Sequence, residues 1–169
     1  MKSILLIFFF LIFSDRILIS NEFTQIPLSK FIENNSDNDE LLTENLIYES
    51  TRCSALFAWI SSLYANLNTE KGRRLEKKSL FNSKSLTGIA LQTFLTKNTN
   101  PSNLDEANLT INNLIENKIM NYQSDGELIR KSKSGYLKGY IKDDLKICNI
   151  MIEAYKETFQ NHNGASLNY

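Results

Sequence analysis

The chain has 169 residues with 19 basic and 19 acidic side chains, and this neutrality argues against a nucleic-acid binder, whose affinity comes from neutralising phosphates. A single histidine leaves no basis for a His-rich metal site or a His-based triad in an ordered core. Six glycines and two prolines are few, which favours helices over a turn-rich all-β fold.

The first element is Ile4–Phe13, an apolar run behind Lys2 and ahead of Ser14-Asp15-Arg16, the pattern of a secretory signal. It is shorter than the roughly 20 residues that a membrane span needs. Extending it through Ile17-Leu18-Ile19 would carry Asp15 and Arg16 to membrane depth. Residues 1–20 are therefore expected to be a signal peptide cleaved after Ser14 or Ser20, with an uncleaved N-terminal anchor as the alternative. No stable membrane span is expected after cleavage, and the expected location is periplasmic or secreted. Because Lys2, Arg16 and Asp15 leave with that segment, 17 basic and 18 acidic residues remain.

Residues 21–40 contain Pro27 and the polar run Asn34 to Asp39, and are expected to be an exposed arm with a short docked piece at Ile26–Ile32. Asp37 to Asp39 offer N-caps and negative charge to the helix that follows. That first predicted helix, about Glu40 to Leu67, places Leu42, Leu46, Glu49, Cys53, Leu56, Ile60, Leu63 and Leu67 at alternating spacings of four and three. A second runs from about Arg74 to Lys97, with Leu86, Ala90 and Phe94 on one face. Asn98 to Asn103, with Pro101, breaks the chain. A third covers Leu104 to Tyr122 behind a capping-box-like start, and a polar connection, Gln123 to Ser134, follows. The fourth runs from about Tyr136 to Phe159, with Ile141, Leu145, Cys148, Ile152 and Tyr155 on its apolar stripe.

The expected fold is all-α: an antiparallel four-helix bundle over 41–160, preceded by the signal segment and the polar arm and followed by a disordered tail, 161–169. In such a bundle the first and last helices are neighbours, so Cys53 and Cys148 face each other and form a disulfide in an oxidising compartment. Two free buried thiols and a redox pair are the alternatives, but redox dithiols are usually close in sequence and partly exposed.

An acidic residue precedes each cysteine by four positions, Glu49 before Cys53 and Asp144 before Cys148. Two buried carboxylates suit acid–base chemistry. In an antiparallel pair joined at the cysteines, however, they point to opposite ends, about 12 Å apart along the axis at 1.5 Å per residue. The competing reading makes them seam polars paired with Arg52 or Lys146. In Gly135-Tyr136-Leu137-Lys138-Gly139-Tyr140-Ile141-Lys142, a G-Y-[LI]-K unit repeats at a spacing of four. On a helix this stacks Tyr136 and Tyr140 on one side, flanked by Lys138 and Lys142, and makes them the candidate binding surface. Their competing role is to close the end of the core. Basic residues at Lys71, Arg73, Arg74, Lys77 and Lys78, and at Arg130, Lys131 and Lys133, read as a solvated helix start and loop, with anionic lipid headgroups as the functional alternative.

The sequence has no G-x-S-x-G, no Walker loop and no G-x-G-x-x-G after a strand. No catalytic residue, metal ligand or cofactor is nominated. The expectation is an exported, non-enzymatic helical protein that binds a protein partner or an envelope component. The alternatives are an enzyme using Glu49 and Asp144, and a carrier holding a small apolar ligand near Phe57, Tyr64 and Tyr155. The pattern fixes no oligomeric state.

Overall fold

The computed structural model describes residues 25–36, 41–97, 104–131 and 135–163, with side chains of the last helix through Glu157. The expected signal segment, the N-caps at Asp37 to Asp39, the breaker at 98–103 and residues 164–169 lie outside them. Among the described residues there are five helices and no strand: α1 Leu28–Asn35, α2 Leu42–Ala65, α3 Glu70–Lys97, α4 Leu104–Lys131 and α5 Tyr140–Asn163. They pack as a helical bundle.

Helix α2 is the hub of the packing and touches each of the other four. Its middle, Ser50 to Phe57, is buried on every side. Small side chains let α3 come close: the Ser54 hydroxyl lies 3.1 Å from that of Ser83 and 2.8 Å from that of Thr87, and the Ser61 hydroxyl donates to the Glu76 carbonyl. Residue numbers rise on α2 as they fall on α3 along these contacts, so the two helices run in opposite directions. Leu56, Leu86, Ile111, Ile141 and Ile152 fill the interior, each worth roughly 1.5–3 kcal/mol when fully buried.

Several boundaries differ from the sequence reading, the start of α3 at Glu70 rather than Arg74 among them. Helix α4 continues to Lys131, through the stretch read as a polar connection. Asp125, Gly126 and Ile129 are buried there, and the bare Gly126 backbone lets the Trp59 ring approach so closely that a Cβ would collide with it. Conversely, the last helix starts at Tyr140 rather than Tyr136. Gly135 and Gly139 hold φ of 76° and 54°, a left-handed conformation that ends helical geometry and that glycine adopts without steric cost. Tyr136 and Lys138 therefore lie in the connecting loop. At the other end, α5 runs to Asn163, into the segment expected to be a tail.

Cys53 and Cys148 are joined by a disulfide, with Cα atoms 5.2 Å apart and neither residue exposed. It links α2 to α5.

Candidate functional site

The strongest concentration of polar chemistry lies beside that disulfide. Tyr48 and Arg52 stand one turn apart on α2, where i and i+4 side chains share a face. Asp143 and Asp144 occupy the start of α5, where a helix favours negative charge. Tyr122 comes from α4. Arg52 donates through Nε to Asp144 Oδ2 at 2.8 Å, and its Nη2 lies 2.7 Å from the same oxygen. Its Nη1 donates to the Tyr48 hydroxyl at 2.9 Å, and Nη2 donates to the Ile26 carbonyl at 2.5 Å. The Tyr122 hydroxyl donates to Asp144 Oδ2, also at 2.5 Å.

The same aspartates close the open end of α1. Pro27 precedes that helix and no side chain of its own segment caps it. Asp144 Oδ1 accepts from the Leu28 amide at 2.8 Å and Asp143 Oδ2 from the Ser29 amide at 3.1 Å. Phe31 stacks on Tyr48 with ring centroids 4.1 Å apart. Segment 26–29 is thus held by its backbone to charges supplied from α2 and α5.

Arg52 and Asp144 are both fully buried. Burial opposes the Arg52 charge, yet Tyr122, Asp144 and Tyr48 outweigh it and raise its pKa. Burial raises the Asp144 carboxyl, against the pull of Arg52, Tyr122 and the Leu28 amide. Tyr122 is raised well above an ordinary phenol, first by burial and then by Asp144, so it serves as a neutral donor. Lys118, half-buried on α4, places its ammonium 4.9 Å from the centre of the Tyr48 ring. Burial, and then the Arg52 charge, push its pKa down to about 8. Chemically the Arg52–Asp144 pair is closed: the two charges meet each other, and four donor groups surround the Asp144 carboxylate.

The residues singled out in the sequence fall around this centre in different ways. Tyr140 is buried and donates to Asp125 Oδ2 at 2.6 Å; burial, then that hydrogen bond, raises its pKa. Its ring stacks on Tyr122 at 6.0 Å, while Tyr136 meets Trp59 edge-on at 6.1 Å. Trp59 in turn stacks on Tyr122 at 6.0 Å. The two tyrosines thus join one aromatic array from a loop and a helix, not as neighbours on one helical face. Lys138 and Lys142 are exposed. Glu49 is half-buried, its carboxyl raised by desolvation, and the Arg52 pairing went to Asp144 alone. Phe57 is buried, and Tyr64 and Tyr155 are partly buried.

Among the described residues no three His, Cys, Asp or Glu side chains gather as metal ligands. Two shallow grooves lie on outer faces. One of about 500 Å³ is lined by Asn113, Glu116, Asn117, Ile119 and Met120 of α4. The other, about 380 Å³, is lined by Gly88, Leu91, Gln92, Leu95 and Thr96 of α3.

Sequence reasoning did not assign Tyr48, Tyr122, Asp125 or Lys118 to a site. One signal was available: Arg52 is the only basic residue of α2 and directly precedes Cys53, which lies on the helix's core-facing stripe. A lone cation there has to find a buried partner. Compared with known proteins, the chain matches no family model, no curated protein and no solved structure.

Proposed function

We propose that this chain is an exported, disulfide-stapled antiparallel four-helix bundle that acts by binding a protein partner or an envelope component, without catalysis. The observation that carries the reading is the closed network at Arg52 and Asp144. Its charges satisfy one another and the α1 backbone, so the buried ionisable groups serve architecture and leave recognition to the surface. The Cys53–Cys148 bridge supports an oxidising, extracytoplasmic location, either periplasmic or secreted. Within this reading the candidate surface at 136–142 works through the edge of Tyr136 and the ammonium groups of Lys138 and Lys142, while Tyr140 supports them from inside.

The test is fractionation of producing cells with alkylation before reduction, combined with photocrosslinking from positions 138 and 142. Recovery outside the cytoplasm with no alkylated cysteine, and one discrete crosslinked species that unlabelled protein competes away, is the expected result. Recovery in the cytoplasm with both cysteines alkylated overturns export. An enzymatic turnover that disappears in Glu49→Gln overturns the non-catalytic role.

A further inference from the structure

Charge in this chain is balanced overall, with 19 residues of each sign, but not in space. Helix α3 alone holds seven basic residues, Lys71, Arg73, Arg74, Lys77, Lys78, Lys84 and Lys97, against Glu70 and Glu76. Lys97 pairs with Glu44. The other six are exposed, and none forms an ion pair among the described residues.

Their placement around the helix is specific. Phe81, 39% exposed, lies opposite the face that carries buried Ser79, Ser83, Leu86 and Ala90. At about 100° per residue, Lys77 and Lys84 fall about 40° and 60° to one side of Phe81, and Arg74 and Lys78 about 20° and 60° to the other. From Arg74 to Lys84 the patch runs about 15 Å along the axis. The apolar face of α3 is used inside the bundle, but a single ring with cations on both flanks still suits a membrane surface, where the ring can enter the headgroup region while the flanking side chains reach the phosphates.

We infer that the outer face of α3 docks on the surface of a bilayer containing anionic phospholipid, with Phe81 inserted and Arg74, Lys77, Lys78 and Lys84 on the headgroups. The occupant follows from charge and chemistry: four exposed cations gathered within about 120° of one helix match an anionic surface. Three of the four are lysines, which protein interfaces tend to exclude and which bind phosphate as point charges without fixed geometry. The inference rests on the binding reading above and names the envelope component.

Purified, oxidised full-length protein is sedimented with vesicles of phosphatidylcholine alone and of phosphatidylcholine with phosphatidylglycerol. Binding is expected only to the anionic vesicles, and it should fall as salt rises. Each of Lys77→Gln, Lys78→Gln and Lys84→Gln should weaken it about fivefold, the effect of roughly one surface charge. Phe81→Ala should weaken it as well, and helical circular dichroism should be unchanged in all four variants. Equal binding to neutral vesicles, the result expected if the apolar run Ile4–Phe13 inserts instead, overturns the proposal. So does indifference to the three lysine substitutions. Failure on both vesicle types, with an acidic protein partner retained through the same lysines, also overturns it while leaving the binding reading intact.

Discussion

The guanidinium of Arg52 and the carboxylate of Asp144 meet at 2.7 Å with neither side chain exposed. The cysteines of the only disulfide stand close by: Cys53 follows Arg52 directly, and Cys148 lies one turn beyond Asp144. An ionic link and a covalent link therefore tie the same turns of α2 and α5. Removing either exposes how far the other carries that contact.

Arg52→Met should destabilise the fold by about 3–5 kcal/mol, because it leaves the Asp144 carboxylate buried without its cation. Asp144→Leu, which leaves Arg52 buried without its anion, should cost a similar amount. The double variant Arg52→Met with Asp144→Leu should cost clearly less than the two single effects added, since no unpaired charge remains. Urea unfolding at constant m measures all three. Strict additivity would mean that the two side chains do not act as a pair.

Replacing Cys53 and Cys148 together by Ala should lower stability by up to about 4.7 kcal/mol, the chain-entropy value for a loop of about 100 residues. The separation here is 95. Far-ultraviolet circular dichroism should stay helical, because the core of α2 and the Arg52–Asp144 pair persist. Loss of helix in the double Ala variant would show that the bridge, not the packing, holds the bundle.

Gly126→Ala should cost about 1–3 kcal/mol, the usual range for overpacking, since the new methyl meets the Trp59 ring. Trp59 is the only tryptophan of the chain, so a change in its fluorescence should accompany the loss. An unchanged spectrum and melting temperature would contradict the close α2–α4 approach at this point.

Lys118→Met should raise the melting temperature at neutral pH and lose that advantage in alkali. The folded pKa of Lys118, about 8, lies below its ordinary 10.5. Between those values the unfolded chain binds more protons than the folded one, so stability rises with pH. Below about 8 the folded protein bears the full cost of the half-buried ammonium, and the Met variant does not. Melting curves of wild type and variant across this range should converge as the pH approaches 10.5, while curves that stay parallel would refute the assignment.

Much of the helical pattern was legible because it depends on periodicity. The stripe of Cys53, Leu56 and Ile60 located α2, and the cysteine pair identified the neighbouring helix. The misread ends share a cause in single residues. The polar stretch after Tyr122 remains helical because Asp125 and Gly126 are used inward, by Tyr140 and Trp59. Helix α5 starts late because Gly139 takes a positive φ. Neither effect has a period. For the network around Arg52, the sequence offered Glu49 and Asp144 as seam carboxylates paired with Arg52 or Lys146, and only the structure shows that Arg52 meets Asp144. Tyr48 and Tyr122 joined through tertiary geometry alone, since a tyrosine on an apolar stripe looks the same whether its hydroxyl meets water or a buried carboxylate.

The capping of α1 has a consequence for the order in which the protein assembles. The Leu28 amide waits for a carboxylate 116 positions later, and the Ser29 amide for one 114 positions later. A ribosome makes the segment around Pro27 early and its cap near the end. Until α5 is complete, the start of α1 has uncapped amides and the Ile26 carbonyl lacks an aligned guanidinium, and an eight-residue helix is marginal alone in water. The earliest part of the described chain is therefore among the last to settle, and closing those two hydrogen bonds marks the finished molecule.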